Sequence, residues 1–533
     1  YNVSFADAGG SLLQNVQVKI TTGPAQTGTL ITDWADNITS INSASYTGDW
    51  SLVTGYWDLL PEGQSYVSVR TYDNASNLRA VTDAFYVRKD VTAPSITDNQ
   101  SGDDAWRNSN SGAYNVDFAD SGGSLLNKVQ VKITTGSAQT GTVITDWTDN
   151  ITSVNSASYT GDWSLVTDLW SLLQSGTGYV SVRVFDNAGS TATLTDAFYV
   201  RKDTQAPSIT DSQDGDSAWR AANTGSYAVG FADAGGSLLS GFQVRASTVA
   251  GGAGPFSPDW TDNVTGINAA SYPGPWTLAV GVWTLLQPGT NYISIRAYDN
   301  AGSAAVLADA FNVLKDTQPP AGAAAAPDYA GSLDFNVGWS ASDSGPAGVD
   351  YVRLYYTMNT AAPYTWTQFG TTFNASPIAF TAPSAGTAGF RIVAYDRAGN
   401  TDEAAPPAAE TGPEDSTVVD LAAPVVTDNQ SGDDAWRNSA GTVYNVDFSA
   451  TGASALDTAQ YKVTAGPGQT GEVLKGWTTI AANINSANYT TDWQADFNAL
   501  KSSFNYVSAR VWTMAGTTTT ANDVFYIKKD TSP

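Results

Sequence analysis

Carboxylates recur in this chain at spacings that would bring three of them to one point. A Lys-Asp pair ends one segment at Asp90, a Phe-Ala-Asp word contains Asp120, and a Phe-Asp-Asn word contains Asp186. The same pattern recurs twice more, with looser words in the third copy, and gives nine candidate metal ligands: Asp90, Asp120, Asp186, Asp203, Asp233, Asp299, Asp316, Asp343 and Asp396. Three carboxylates within a few ångström repel one another unless a cation lies between them. Oxygen-only ligands on loops suit Ca²⁺ better than Mg²⁺, so calcium is the predicted ion.

Two simpler roles stay open for these aspartates. An Asp in an Asp-Asn-Ala-Gly turn caps its own loop, and the Asp of a Lys-Asp pair could form an ion pair with that Lys. The last copy of the pattern departs from the others, because Ala450 and Thr513 replace two of the acids and leave Asp420 alone. We expect that joint to be metal-free or flexible.

A second group of acids lies in the segment DNQSGDDAWRN and its copies. Asp103 with Asp104, or Asp214 with Asp216, could form another ion site, but the spacing does not match an EF-hand loop. The favoured interpretation is a polar bend between two parts of one strand. Its tryptophans would then cover the edge of the domain; they are Trp106, Trp219 and Trp436.

The elements that must position these residues form a repeat. The word YNVSFADAGGSLL begins at Tyr1, returns in close copies 113 residues apart at Tyr114 and Tyr227, and returns more loosely at Tyr444. We therefore predict five units, of which the first is incomplete and the fourth divergent: 1–92, 93–205, 206–318, 319–421 and 422–533. Because the chain starts with Tyr inside a repeat, we expect it to be an excerpt of a longer array, with a leader or more chain upstream.

Each unit has the pattern of an antiparallel β-sandwich. Segments such as VQVKITTG and YVSVRVFD alternate apolar and polar residues between Gly, Asn, Asp and Pro clusters. The predicted fold class is all-β, a tandem array of five Ig-like antiparallel β-sandwich domains. A tyrosine at the start of one late strand predicts a tyrosine corner, and Phe390 replaces it in the fourth unit; the tyrosines are Tyr66, Tyr179, Tyr292 and Tyr506.

The joint word KD-x-x-APSITD, together with the hairpins YDNAGS and YDRAGN, resembles the tandem bacterial Ig-like (fibronectin III-like) repeats of giant extracellular adhesins and surface fibres. The resemblance covers all five units. It implies an extracellular repeat array, and in several such families calcium ions lie between neighbouring domains and stiffen the rod. In an Ig-type sandwich the loops carrying Asp120 and Asp186 lie at the pole that faces the preceding domain, where Asp90 ends.

Composition excludes several classes of function. The 533 residues include no Cys and no His, so disulfides, thiol nucleophiles, the usual zinc ligands and the commonest general base are all missing. A net charge of −26 opposes binding to nucleic acid and to anionic membranes. No apolar run approaches the roughly 18–20 residues of a membrane-spanning helix, so no membrane insertion is predicted in this segment.

The favoured hypothesis is a structural array of an extracellular fibre, stalk or adhesin, without enzymatic activity and without catalytic or cofactor-binding residues. Expected partners are the chain itself, laterally or in a filament, and a surface receptor or glycan. Two alternatives stay open: a carbohydrate-binding array that uses exposed tryptophans such as Trp147 and Trp260, and a spacer of a larger secreted enzyme.

Three further patterns are expected to have structural roles. The acidic loop 402–415 is expected to be a solvated insertion. The lysines at one strand position do not predict a crosslink, because Arg245 breaks the series; they are Lys19, Lys132 and Lys462. Three Asn-x-Thr sequons are expected to serve strand and turn geometry in a bacterial protein; they begin at Asn37, Asn150 and Asn263.

Overall fold

Five hydrophobic clusters follow one another along the chain, and each lies between its own pair of β-sheets. The computed structural model describes residues 1–100, 102–213, 216–430 and 434–532. Extensive contacts between strands all lie within one unit. The five sandwiches confirm the predicted fold class, whereas the residue boundaries of the units stay a prediction.

The first two units contain the following elements. In unit 1 they are β1 (Phe5–Ala6), β2 (Leu13–Thr21), β3 (Leu30–Ile38), β4 (Ser45–Tyr46), α1 (Thr54–Leu59), β5 (Gly63–Asp73) and β6 (Leu78–Lys89). In unit 2 they are β7 (Ser95–Asp98), β8 (Trp106–Arg107), β9 (Val116–Ala119), β10 (Leu126–Gly136), β11 (Thr140–Ile151), β12 (Ser158–Tyr159), α2 (Thr167–Leu172), β13 (Gly176–Asp186) and β14 (Thr191–Lys202).

The remaining three units repeat this order. Unit 3 has β15 (Ser208–Asp211), β16 (Trp219–Arg220), β17 (Val229–Ala232), β18 (Leu239–Ser247), β19 (Thr261–Ala269), β20 (Ser271–Tyr272), α3 (Val280–Leu285), β21 (Gly289–Asp299) and β22 (Ala304–Lys315). Unit 4 has β23 (Ala321–Ala325), β24 (Tyr329–Ala330), β25 (Asp334–Ser342), β26 (Val349–Thr357), β27 (Thr367–Phe373), β28 (Ile378–Thr381), β29 (Gly386–Asp396) and β30 (Asp415–Val419). Unit 5 has β31 (Val425–Asp428), β32 (Trp436–Arg437), β33 (Val446–Ser449), β34 (Leu456–Thr464), β35 (Val473–Ala481), β36 (Asn488–Tyr489), a 3₁₀ turn (Phe497–Ala499), β37 (Phe504–Thr513) and β38 (Thr518–Lys529).

Unit 2 shows the topology in full. One sheet has the order β12-β9-β7 and the other has the order β11-β10-β13-β14-β8. The first strand is split between them: β7 pairs antiparallel with β9, and β8 pairs parallel with β14. The polar segment between β7 and β8 is therefore the bend between two parts of one strand, as favoured from the sequence.

The core of unit 2 follows from the alternation of β10. Val129, Val131 and Ile133 point inward and are fully buried, while the residues between them are only half-buried. Trp163 closes the core, and its indole Nε1 donates to the carbonyl of Val116 at 3.1 Å. Phe198 lies edge-on to Trp163 with ring centres 5.6 Å apart. This repeated tryptophan is thus a core residue, which agrees with packing rather than ligand binding.

The corner before β21 differs from the predicted tyrosine corner. Asn291, not Tyr292, closes it: its Nδ2 donates to the carbonyls of Gln287 at 2.8 Å and Gly289 at 3.0 Å, and its Oδ1 accepts from the Gln287 amide at 3.0 Å. Strand alternation explains the difference, because Asn291 is buried and its neighbour Tyr292 is only half-buried. Asn505 makes the same bonds in unit 5.

Carboxylates take the place of strand pairing in the divergent unit 4. There β30 has five residues, whereas the corresponding β22 of unit 3 has twelve. Asp402 accepts from the amides of Gly322 at 2.8 Å and Ala394 at 3.0 Å. Glu414 accepts from the amides of Ala324 at 2.7 Å and Ile392 at 3.1 Å. The expectation of a merely solvated insertion was therefore wrong for these acids.

Candidate metal centres

Consecutive units meet at four junctions, which we call seams and define by their residues. Seam 1 is Asp90, Asp120 and Asp186; seam 2 is Asp203, Asp233 and Asp299; seam 3 is Asp316, Asp343 and Asp396; seam 4 is Asp420, Ala450 and Thr513. In each of seams 1 to 3, one oxygen from every carboxylate lies within 4.8 Å of the other two. The structure thus brings together all nine aspartates predicted from the sequence, in the three predicted groups.

Secondary structure positions the three acids of seam 2. Asp203 directly follows β14, the last strand of unit 2, and its amide donates to the carbonyl of Arg107 at 3.0 Å. Asp233 directly follows β17, and Asp299 is the last residue of β21. Because β17 and β21 both end at the pole of unit 3 that faces unit 2, residues far apart in sequence meet there.

Backbone amides hold each carboxylate in place. Asp203 accepts from Gln205 of its own segment at 2.9 Å and from Ser237 of the next unit at 3.0 Å. Asp233 accepts from Gly235 at 3.0 Å and from Leu238 at 2.7 Å, which closes its loop. The turn-capping role that the sequence left open is real, and it coexists with the gathering of the acids.

Gly235 allows the carboxylate of Asp203 to lie against the loop of the next unit at seam 2. A Cβ atom on Gly235 would lie 1.9 Å from Oδ1 of Asp203, which no side chain could occupy. Gly122 stands in the same relation to Asp90 in seam 1. The repeated Ala-Gly-Gly or Ser-Gly-Gly word after the loop aspartate was the sequence signal for this close contact, and sequence reasoning missed it.

The carboxylates of seam 2 are buried, so they have little contact with water. None of them has a basic partner nearby among the residues that the structure describes. Asp203, Asp233 and Asp299 are 0%, 7% and 2% exposed. The pKa of Asp299 is raised, first by burial and then by the charges of Asp203 and Asp233. Its Oδ2 is buried and has no hydrogen-bond partner among the described residues. An ionised Asp299 therefore lacks a positively charged partner to stabilise it among the described residues.

The lysine of the Lys-Asp pair is not the positively charged partner of the seam carboxylates. Lys202 donates instead to the carbonyls of Trp170 and Leu173, both at 2.9 Å, at the end of α2. Lys315 bonds in the same way at the end of α3. The alternative in which the seam aspartate pairs only with its neighbouring lysine is therefore wrong at these two joints.

Seams 1 and 3 share the arrangement with small differences. In seam 1, Oδ2 of Asp186 is buried without a partner in the described part of the chain. In seam 3 the unpartnered atom is Oδ2 of Asp343, and Asn400 satisfies Oδ2 of Asp396 at 2.7 Å. Each of the three seams thus contains one buried carboxylate oxygen that lacks a donor among the residues described.

The second group of acids does not form another ion site in its described part. Asp103 pairs with Arg107 at 3.0 Å, Asp216 pairs with Arg220 at 2.9 Å, and Asp104 pairs with Arg201 at 3.1 Å. Asp214 lies outside the described residues. Arginine already neutralises these carboxylates, so the bend has a structural role.

Trp106 contributes to a seam as well as to its own unit. A Cβ atom on Gly236, in the next unit, would lie 3.3 Å from the Trp106 ring, and one on Gly302 would lie 3.6 Å from Nδ2 of Asn108. The expectation that this tryptophan covers the edge of its own sandwich missed this contact across seam 2.

The tryptophans proposed for sugar stacking have arginine side chains against their rings. The guanidinium carbon of Arg183 lies 4.5 Å from the ring centre of Trp147, and that of Arg296 lies 4.8 Å from Trp260. Arg245 also lies near Trp260, with its guanidinium carbon 4.5 Å from the ring centre, so guanidinium groups already cover part of both indoles. The sugar-binding alternative stays a prediction that no contact of these described residues favours.

The sequon and lysine positions are engaged in the fold. Asn150 is buried; it donates to the carbonyl of Ser164 at 3.1 Å and accepts from the amide of Val166 at 2.9 Å. Asn37 and Asn263 make the equivalent pairs of bonds in their units. Lys132 forms an ion pair with Asp146 at 3.1 Å.

Comparison with known proteins found similar solved structures but no family. No protein-family model matches the chain, and no curated protein matches it. The tetra-tandem repeat in the extending region of a large adhesion protein is 18% identical, covers 83% of this chain and 100% of its own, and has a TM-score of 0.31. A Ca²⁺-stabilised adhesin that helps an Antarctic bacterium bind ice is 16% identical, covers 82% of this chain and 99% of its own, and has a TM-score of 0.28.

A third similar structure comprises the fibronectin III-like modules of Clostridium thermocellum CbhA. It is 14% identical, covers 40% of this chain and 93% of its own, and has a TM-score of 0.20. The tandem Ig-like sandwich fold is shown by the sheets described above and does not depend on these similarities. None of the described helices is long and apolar enough to cross a membrane.

Proposed function

We propose that this chain is a structural repeat array of an extracellular fibre, stalk or adhesin, and that calcium holds its consecutive sandwiches in line at seams 1 to 3. The observation that carries the proposal is the gathering of three carboxylates, two from one unit and one from the unit before, within 4.8 Å in each seam. An ion bound to all three would connect two units directly.

The chemistry of the seams favours a hard divalent cation. In seam 2 three buried acids lie together without a basic partner among the described residues, and burial with the neighbouring charges raises the pKa of Asp299. A divalent ion removes the repulsion between them and supplies a partner for the free oxygen of Asp299. Calcium accepts six to eight oxygens at flexible angles, whereas Mg²⁺ requires a near-ideal octahedron, so a loop-built site suits calcium.

A calcium ion could reach at least one seam from solvent. A surface cleft of about 440 Å³, lined in part by Asp90, Gly122 and Ser124, gives solvent access to seam 1. Extracellular calcium modules commonly bind with Kd of about 10⁻⁴–10⁻³ M. At one hundred times Kd, a bound ion would stabilise each seam by about 2.7 kcal/mol.

Small-angle scattering and calcium titration of the whole chain test this proposal. We expect binding of about three ions and an extended particle that loosens when a chelator removes calcium. The combined variant Asp186→Asn, Asp299→Asn and Asp396→Asn should lose both the binding and the response. A matched control changes three exposed turn aspartates, Asp49→Asn, Asp162→Asn and Asp492→Asn, and has the same change in charge.

Two outcomes would contradict the proposal. One is a scattering profile that is the same with calcium and with chelator. The other is equal loss of calcium binding in the seam variant and in the control, which would show that calcium responds to the overall negative charge rather than to the three centres.

A further inference from the structure

We infer that seam 4 is a cation-independent joint, closed by a network of hydroxyl groups where seams 1 to 3 would hold calcium. We define the hydroxyl network as Thr451, Ser454, Thr513 and Thr517 of unit 5, with their acceptors. The contrast with seams 1 to 3 rests on the proposed function, whereas the network itself does not.

The backbone of seam 4 repeats the other seams. Asp420 accepts from the amide of Ala422 at 3.0 Å and from the amide of Ser454, across the seam, at 2.7 Å. These are the counterparts of the two bonds that Asp203 makes at seam 2. A Cβ atom on Gly452 would lie 1.9 Å from Oδ1 of Asp420, as on Gly235 at seam 2. The units therefore approach each other at seam 4 with the same local geometry.

The difference lies in the side chains around that carboxylate. Ala450 and Thr513 remove two negative charges, so no carboxylate repels Asp420 from those two positions. The hydroxyl of Ser454 donates to Oδ2 of Asp420 at 2.6 Å. At seam 2 the hydroxyl of Ser237, which occupies the corresponding place, is buried without a partner among the described residues.

Two further hydroxyls of unit 5 bind the linker that leads from β30 to β31. Thr451 donates to the carbonyl of Ala423 at 2.9 Å, and Thr517 donates to the carbonyl of Ala422 at 2.8 Å. Thr513, in the place of the third carboxylate, bonds to the hydroxyl of Thr517 at 2.7 Å and so helps to orient it. Hydroxyls donate as well as accept, so they can satisfy a carboxylate and carbonyls without an ion.

The electrostatics of Asp420 agree with this arrangement. Burial acts to raise its pKa, but the Ser454 hydroxyl and the backbone amides outweigh burial, and the net pKa of Asp420 is lowered. The pKa of Asp90, the counterpart of Asp420 at seam 1, is lowered in the same way, so this shift is not particular to seam 4. Backbone contact also closes the seam, because a Cβ atom on Gly331 of unit 4 would lie 2.4 Å from the carbonyl oxygen of Ala515 in unit 5.

Spin-label distance measurements on the full chain test this inference, and the absence of native cysteine makes labelling unambiguous. One pair of introduced cysteines, at Thr193 and Val306, spans seam 2; another, at Thr372 and Thr520, spans seam 4. All four positions are exposed. With a calcium chelator, we expect the distance distribution across seam 2 to broaden and that across seam 4 to stay narrow.

Two variants test whether the hydroxyl network itself closes seam 4. Ser454→Ala with Thr517→Val should broaden the distribution across seam 4 whether calcium is present or absent. Thr479→Val, an exposed position in the same unit, is the control and should leave it unchanged. Ala450→Asp with Thr513→Asp restores the three-carboxylate pattern and should make seam 4 respond to chelation.

The outcomes are distinguishable from failure of the proposed function. Broadening across seam 4 of the native chain on chelation would overturn the inference, and so would a narrow distribution in the Ser454 and Thr517 variant. If the distance distribution across seam 2 also stayed narrow in chelator, the calcium proposal would be wrong for that seam. The inference that a hydroxyl network closes seam 4 would not be affected.

Discussion

At the scale of single residues, Gly235 shows how little space seam 2 allows. A methyl group there would lie 1.9 Å from a carboxylate oxygen of Asp203, so Gly235→Ala must displace either the loop or Asp203. Overpacking of this kind costs about 1–3 kcal/mol. We expect the variant to bind two calcium ions instead of three, measured by titration, with the remaining two sites unchanged.

The control for this substitution is Gly161→Ala in a turn of unit 2. A Cβ atom on Gly161 would meet no atom within 4 Å, and the backbone there is accessible to alanine. This variant should bind like the native chain. If Gly235→Ala also kept all three ions, the close approach of Asp203 to its loop would have no part in binding.

The raised pKa of Asp299 predicts a dependence of stability on pH. Burial and the charges of Asp203 and Asp233 favour the protonated form in the folded chain, so the folded state binds this proton more tightly than the unfolded state. In chelator, the contribution of Asp299 to stability should be complete below the unfolded-state pKa and lost as the pH rises through the raised pKa. Calorimetry of the chain at several pH values measures this change in stability.

Asp299→Asn isolates this effect from the other carboxyl groups. The variant cannot ionise at that position, so its metal-free stability should fall less steeply with rising pH than that of the native chain. Saturating calcium should also reduce the slope, because the bound ion compensates the charge. Equal slopes in the native chain and the variant would refute the assignment.

At the scale of elements, the sequence predicted what alternation and local turn chemistry determine. The strands and the three acid clusters followed from words that recur at fixed spacing, because a carboxylate directly after a strand has a defined place at one pole of a sandwich. Asn291 and Asp402 were not predicted, because their roles depend on which backbone amides of other segments lie nearby. The contact of Trp106 with the next unit depends on how two units are placed together, which no local pattern encodes.

The outer strands of the large sheets are irregular. The pairing of β11 with β10 shifts register at several points, beginning between Val129 and Gln130. Bulged edges discourage pairing with a strand of another molecule. Association of the chain with itself therefore stays a prediction, and we expect any lateral contact to use the faces of the sandwiches rather than these edges.

The carboxylates of unit 4 give a prediction for the stability of one element. Asp402→Ala would leave the amides of Gly322 in β23 and Ala394 in β29 without their acceptor. Each buried donor left unsatisfied costs about 1–3 kcal/mol, so unit 4 should be clearly destabilised. Hydrogen exchange of the full chain should show faster exchange at these two amides and in the strands beside them.

Glu410→Ala is the matched control, because Glu410 lies in the same loop and is exposed. It should leave the exchange of both amides at the native rate. Unchanged protection in Asp402→Ala would mean that other acceptors replace the carboxylate and that the loop does not substitute for strand pairing.

At the scale of the whole molecule, the acidic charge raises the question of whether calcium acts at particular centres or by general screening. The chain carries a net charge of −26, and any added salt weakens the repulsion between distant acids. The carboxylate oxygens of a seam, however, lie within 4.8 Å of one another. The Debye length is about 10 Å at 0.1 M salt, which is longer than this spacing, and buried charges are screened much less than exposed ones, so moderate monovalent salt should leave the repulsion within a seam largely in place.

We therefore expect sodium chloride and calcium to have different effects on the shape of the metal-free chain. Small-angle scattering in chelator should show that about 0.1–0.15 M NaCl, over which the Debye length stays at about 8–10 Å, does not restore the extended particle. Calcium at about 10⁻³–10⁻² M, above the Kd range of extracellular modules, should restore it in the presence of that salt. Magnesium at the same concentration should be less effective, because it requires a stricter geometry. If sodium chloride alone restored the extended particle, repulsion over the whole surface rather than the three seams would control its shape.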